Sequence, residues 1–255
     1  MRQFNAKILE NLPLSGNYFE LTIEWPKENI APLPGQFLSL KDESNGGVLL
    51  KRPFAVSSFK DNRASVIIQV RGPATRCFRN MPAGTEICVT GPLGTPFPMP
   101  ENGKEVLLVG GGTGLGPVLF LYEQLKKKNL NAKIILGFRG KEYAPELGET
   151  LAREINFCSD DGSMGFQGTS VDFIKTLNLA DSTTIYACGP NPMLKSCEAI
   201  AAENSCALWI SMEQTMACGI GACMGCVVET RDPDKPFLRV CVEGPVFPGG
   251  YIKWT

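Results

Sequence analysis

The order of the sequence predicts a multidomain β and α/β protein, on three observations. Short β-type segments run to about residue 100, strands then alternate with helices to about residue 206, and a cysteine-rich tail follows. The expected architecture is an N-terminal antiparallel β-barrel over 1–100, an open parallel-sheet α/β unit over 101–206 and a small subdomain over 207–255.

In the first unit, Tyr18 to Trp25 and Ser65 to Val70 are partly alternating, β-branched runs, separated by Pro and Gly turns such as Leu33-Pro34-Gly35-Gln36. Several such strands within ~100 residues point to a small closed barrel. The stretch Gly91-Pro92-Leu93-Gly94-Thr95-Pro96-Phe97-Pro98-Met99-Pro100 is too rich in Pro and Gly to continue a strand or a helix and marks the boundary. Beyond it, Glu105 to Val109 reads as a strand, Gly110 to Gly116 as a turn, and Pro117 to Leu125 as a helix opened by proline. Lys126, Lys127 and Lys128 place cations at that helix's C-terminus, where its dipole favours them. Ala132 to Phe138 and Thr184 to Cys188 continue as strands, Val171 to Leu177 and Met193 to Asn204 as helices, and Ala207 to Met212 as the last strand of the sheet.

Composition excludes several chemistries. Of 255 residues, 44% are hydrophobic and 20% charged, the range of a globular protein. With 25 basic and 26 acidic residues there is no electrostatic reason to expect nucleic acid. Histidine is absent, which removes Ser-His-Asp and Cys-His nucleophile machinery, Rieske ligation and His-dependent zinc sites. The first ten residues mix charges into every few positions, and no window approaches the ~20 apolar residues that span a bilayer. A cytoplasmic protein without membrane contact is therefore expected.

Of ten cysteines, Cys77, Cys88, Cys158, Cys188, Cys197 and Cys206 are scattered singly and read as small hydrophobes. The others form Cys218-x4-Cys223-x2-Cys226, with Cys241 fifteen positions on. Three thiolates in nine residues, interleaved with Gly219, Gly221 and Gly225, need backbone that curls around a small object with its amides turned toward sulfur. This is the spacing of plant-type [2Fe-2S] clusters. A structural zinc site with four cysteine ligands stays open from the loop alone, although such sites more often pair their knuckles.

Arg52-Pro53-Phe54-Ala55-Val56-Ser57 offers a guanidinium suited to a pyrophosphate and an aromatic on the same extended face. Gly72-Pro73-Ala74-Thr75, between a strand and a short helix, offers amides and a hydroxyl to an anion. Alone, each is also compatible with a surface turn. Gly110-Gly111-Gly112-Thr113-Gly114-Leu115-Gly116-Pro117 has a strand before it and a helix after it, the context in which glycines let phosphate or nicotinamide approach the backbone. Cys188-Gly189-Pro190 ends a later strand, where a thiol could stand near a nicotinamide or be an inert turn cysteine.

Taken in order, Arg52-Pro53-Phe54, Gly72-Pro73-Ala74-Thr75, Gly91-Pro92-Leu93-Gly94, the Gly110 to Pro117 loop, Cys188-Gly189-Pro190-Asn191-Pro192-Met193, the cysteine loop and Cys241-Val242-Glu243-Gly244-Pro245-Val246-Phe247 resemble the electron-transfer subunit of heterodimeric, NAD-linked dihydroorotate dehydrogenase, over essentially the whole chain. The resemblance implies an FAD-binding barrel, an NAD-binding α/β domain and a [2Fe-2S] subdomain. It also implies a catalytic partner subunit that oxidises dihydroorotate on FMN, in a heterotetramer. It places FAD phosphates on Arg52 and Thr75, with Pro53, Phe54, Ala55, Ser57 and Gly72 around the flavin. NAD lies over Gly110, Gly111, Gly112, Thr113 and Gly114, with Asp160-Asp161-Gly162-Ser163 toward its adenosine end. The cluster falls to Cys218, Cys223, Cys226 and Cys241.

Ala55 departs from the serine common in relatives, and strand alternation predicts that Ser57 shares its side. The implied route runs from dihydroorotate through partner FMN, [2Fe-2S] and FAD to NAD, because nicotinamide exchanges electron pairs and a [2Fe-2S] centre single electrons. Two other readings remain. One is a NAD(P)H reductase subunit serving ferredoxin or another redox partner, with Arg139 and Lys141 near an extra phosphate; the other is a zinc-stapled interaction protein.

Overall fold

The structure, a computed structural model, describes residues 2–14, 16–43, 49–101, 103–147 and 149–254. Six antiparallel strands close the barrel: β1 (Arg2–Pro13), β2 (Tyr18–Glu24), β3 (Phe37–Lys41), β4 (Arg52–Lys60), β5 (Arg63–Gln69) and β6 (Glu86–Leu93), in the order β1-β2-β5-β4-β3-β6. Ile8, Phe19, Leu21, Leu38, Leu40, Val56, Val66 and Val89 fill it with branched and aromatic side chains. Helix α1 (Pro73–Arg79) follows β5 and drops Phe78 into the same core.

The second unit is a seven-stranded sheet. Strand β7 (Val106–Gly111) leads through a 3-10 turn at Gly112–Gly114 into α2 (Leu115–Lys127) and β8 (Lys133–Phe138). There follow α3 (Glu149–Glu154), β9 (Ile155–Ser159), β10 (Phe166–Gln167), α4 (Ser170–Lys175), β11 (Thr184–Cys188), α5 (Asn191–Glu203) and β12 (Ala207–Ser211). The order is β10-β9-β8-β7-β11-β12 and then β15 (Val246–Pro248). The chain winds outward from β7 to β10 and resumes at β11 on the other side of β7, so the strand order reverses between β7 and β11. That crevice, at the C-terminal strand ends, is where open α/β sheets bind ligands.

Helix α2 joins the two units. Its residues from Leu115 to Tyr122 are all buried, and Phe120 packs into the barrel core while Val118, Leu119 and Leu121 pack with the sheet. A helix apolar on every side is the expected form of one enclosed by two layers.

Three findings differ from the sequence reading, the first being that β6 continues through Gly91, Pro92 and Leu93, held by pairing with β1 and β3, where the Pro- and Gly-rich stretch is expected to end it. The sheet does not end at Ala207–Ser211: Val246–Pro248 returns antiparallel beside it, with Ile210 opposite Phe247, so the cysteine segment leaves the sheet and comes back to it. A three-residue strand carries too little periodicity to be seen beforehand. Nor does the alternation along β4 hold, because its pairing with β5 shifts register between Val56 and Ser58. Between the outgoing and returning strands, β13 (Val227–Glu229) and β14 (Phe237–Arg239) form a small hairpin.

Candidate cofactor sites

The four tail cysteines come together. Cys218 and Cys223 lie on the outer side of the loop, whereas Cys226 and Cys241 are buried at 3% and 2% exposure among Phe37, Leu93, Val228 and Val240. The fourth cysteine reaches Cys226 because Val240 N–H donates to the Cys226 carbonyl at 3.0 Å, stitching the end of β14 to the loop. Backbone amides turn to sulfur: Ile220 N–H and Cys223 N–H donate to Cys218 Sγ at 3.5 and 3.4 Å, and Gly225 N–H to Cys223 Sγ at 3.4 Å. The Ile220 amide leads in holding the Cys218 thiol down at about 6, and burial leads in pushing Cys241 up to about 12. Gly221 has φ +84, and a Cβ there would meet Val242 Cγ2 at 2.5 Å, so the bend requires glycine. Among the described residues no three Cys, Asp or Glu side chains gather around one ion position. Cys218 lies close enough to Cys223, and Cys241 to both Cys226 and Cys218, for the thiols to perturb one another.

Beside them lies a cavity of about 280 Å³ to which all three parts of the chain contribute. The barrel supplies Phe37, Pro53, Phe54 and Ala55, α1 supplies Thr75, the sheet supplies Thr113, Cys188 and Ser211, and the tail supplies Glu213 and Met216. Phe54 is fixed edge-on against Phe78 at 6.0 Å. The Thr75 hydroxyl accepts from Arg71 N–H at 2.9 Å and Gly72 N–H at 3.0 Å, fixing the turn that brings Arg71 to the cavity wall.

Two residues singled out from the sequence stand elsewhere. Arg52 does not line the cavity, and its guanidinium donates to the Leu50 carbonyl at 2.7 Å. Ser57 is absent from the lining too: after the register shift it packs against α2, where a Cβ on Gly116 would lie 3.4 Å from its own. Its buried Oγ has no hydrogen-bond partner. Arg71 and Gln69, whose side chains are joined at 2.6 Å, line this cavity and the next, and no motif announced them.

The second cavity, of about 600 Å³, occupies the crevice between β7 and β11. Gly111 and Gly112 line it, with Gly137, Arg139, Asp160, Ser170 and Met193. The other glycines of the loop are packing positions. A Cβ at Gly110 would strike Leu136 Cδ2 at 2.5 Å, and one at Gly114 would strike the Cys188 carbonyl at 2.1 Å. Asp161 and Ser163 build the neighbouring turn, where Ser163 Oγ accepts from Lys141 N–H at 2.7 Å. Thr113 points away toward the first cavity and donates to Glu213 Oε1 at 2.5 Å. Cys188 is buried there; burial, followed by Glu213, pushes its thiol up to about 12 against a Ser211 hydrogen bond. It is therefore a neutral thiol at physiological pH.

Among the described residues no helix is long and apolar enough to cross a membrane. Residues 213–253 match the iron-sulfur cluster binding domain of dihydroorotate dehydrogenase B. The chain is 38% identical over 247 residues to the dihydroorotate dehydrogenase B (NAD(+)) electron transfer subunit of Caldanaerobacter subterraneus subsp. tengcongensis, covering 96% of each. It is 33% identical over 262 residues to the subunit of the same name from a Geobacillus species, covering 99% of each. Among solved structures it is similar to an NADH-dependent reduced ferredoxin-NADP oxidoreductase described for flavin-based electron bifurcation, with TM-score 0.82 and 27% identity over 98% of this chain and 90% of that one. On this likeness along almost its full length, the chain belongs to the family of electron transfer subunits of NAD-linked dihydroorotate dehydrogenase B.

Proposed function

We infer that this chain passes electrons from a partner subunit, which oxidises dihydroorotate to orotate on FMN, through a [2Fe-2S] cluster and FAD to NAD. The observation that carries this reading is the meeting of barrel, sheet and cysteine segment on one cavity, with Ala55, Cys188 and Met216 in its wall. The residues of this wall would hold a flavin, which when bound would supply the conversion between the electron pairs of nicotinamide and the single electrons of a cluster.

The residues fit these groups. Four cysteine thiols met by inward backbone amides suit an all-thiolate iron-sulfur centre. We assign Cys218, Cys223, Cys226 and Cys241 as its ligands. Pro53, Phe54 and Ala55 give the first cavity an apolar wall for a ring system, and Arg71 supplies the cation at its edge, with Thr75 holding the turn. Gly111 and Gly112 open the second cavity to a nicotinamide nucleotide, and Arg139 and Asp160 face its far end. Cys188 lines the same cavity as a neutral thiol.

The functional units are 1–100, 101–206 and 207–255, the last sharing strand Ala207–Ser211 with the sheet. The assembly proposed is a cytoplasmic heterotetramer of two subunit types. A second reading, a NAD(P)H reductase subunit serving ferredoxin, is favoured by the placement of Arg139 in the nucleotide cavity, where a guanidinium can meet an added phosphate.

The test is to reconstitute the chain with its partner and follow dihydroorotate-dependent NAD reduction alongside iron, flavin and visible spectra. Orotate formation coupled to NADH, with the cluster reduced during turnover, is expected. A cluster that stays oxidised throughout, or a chain free of iron after anaerobic preparation, overturns the reading.

A further inference from the structure

We propose that the Arg239–Glu243 ion pair clamps the fourth-ligand segment to the three-cysteine loop and sets the reduction potential of the cluster held there, an inference that rests on the proposed function. Arg239 closes β14, two positions before Cys241, and stands opposite Val227, the residue after Cys226. Its guanidinium donates through Nη1 to the Gly221 carbonyl at 2.9 Å, midway between Cys218 and Cys223 in the loop. It can approach because Gly221 has no side chain: a Cβ there would stand 3.2 Å from Nη1. One cation therefore touches the loop that carries three ligands and belongs to the segment that carries the fourth.

Glu243 fixes that cation. Its carboxylate accepts from Arg239 Nε at 3.1 Å, from Nη2, and from the Arg239 backbone N–H at 2.7 Å, a forked arrangement with little rotational freedom. The two side chains are 31% and 30% exposed, so solvent screens the pair only in part.

Reduction adds one electron to the cluster and takes up no proton, so the centre gains a full negative charge. A fixed cation favours that change and a fixed carboxylate opposes it. Neutralising Arg239 and neutralising Glu243 must move the potential in opposite directions. A role confined to holding the loop would lower cluster content in both variants and give no such pair of signs.

The experiment is a potentiometric titration of the full chain in complex with its partner, following the reduced cluster's electron paramagnetic resonance signal in the unaltered protein, Arg239→Gln, Arg239→Lys and Glu243→Gln. Arg239→Gln should lower the reduction equilibrium about tenfold, 59 mV for one electron, and Glu243→Gln should raise it. Arg239→Lys should stay near the unaltered value. Shifts of the same sign, or none, in variants that carry iron overturn the proposal. If Arg239→Gln and Arg239→Lys both fail to hold iron, an unchanged potential in Glu243→Gln overturns it, and so does loss of iron from all three. Absence of iron from the unaltered chain would instead defeat the functional reading beneath it.

Discussion

Thr113 donates a 2.5 Å hydrogen bond to Glu213, joining the glycine loop after β7 to the segment that leads into the cysteines, both at the wall of the first cavity. This contact ties two cofactor regions that are a hundred positions apart in sequence. Breaking it should disturb hydride exchange while leaving both cofactors bound. A hydrogen bond to a charged group contributes about 1.5–3 kcal/mol when shielded and less when exposed as here. Thr113→Val should therefore lower NADH-dependent ferricyanide reduction roughly three- to tenfold, with flavin and iron content unchanged. A rate equal to that of the unaltered chain would show the tie to be incidental.

Glycines of similar appearance should tolerate substitution very differently. At Gly114 an added Cβ meets the Cys188 carbonyl at 2.1 Å, and both partners are backbone, so the turn or the strand end must move. Gly72 has nothing within 4 Å of that position, and its φ of −152 is open to any residue. Gly114→Ala should cost about 1–3 kcal/mol, visible as a lowered Tm, with weakened NAD binding. Gly72→Ala should leave Tm within error.

The buried thiols make the fold sensitive to alkali. Burial pushes Cys197 from an ordinary 9.0 to about 12. The unfolded chain loses that proton near pH 9 and the folded chain only near pH 12, so stability present below pH 9 declines as pH rises through this window. Denaturant unfolding measured from pH 8 upward should show a shallower alkaline decline in Cys197→Ala than in the unaltered chain. Parallel curves would mean that Cys197 does not contribute.

Carboxylates on the barrel side give a slope of the same sign at acid pH. Burial, then Glu123 and Glu10, raise the Glu20 carboxyl above its ordinary 4.5, and burial likewise raises Glu123 against Lys127, Ser58 and Lys60. Folding therefore favours the protonated acid, and its contribution fades as pH climbs through and above 4.5. Glu20→Gln should raise Tm by about 2 °C at pH 7, with the gain shrinking toward pH 4. A Tm that falls at pH 7 would contradict this.

What could be read beforehand was what is local in sequence. The cysteine spacing, the glycine loop after Val109 and the turn at Gly72 each concentrate their chemistry within a few residues. Arg71 stayed hidden because nothing marks the second residue after β5 until barrel closure brings it to two cavities. Ser57 was misplaced because one irregularity between Val56 and Ser58 breaks the two-residue period on which the expectation rested. Arg52 carried the right chemistry for a phosphate, yet its guanidinium turns to the neighbouring Leu50 carbonyl, a contact that sequence spacing does not reveal. The edge strand Val246–Pro248 depends on a partner more than thirty positions away.

Phe120 has a mechanical consequence. Swinging barrel and sheet apart would draw this ring out of the strands and into water, at about 1.5–3 kcal/mol for the side chain alone. The two halves are thus held together by a hydrocarbon dowel, and parting them carries that cost each time.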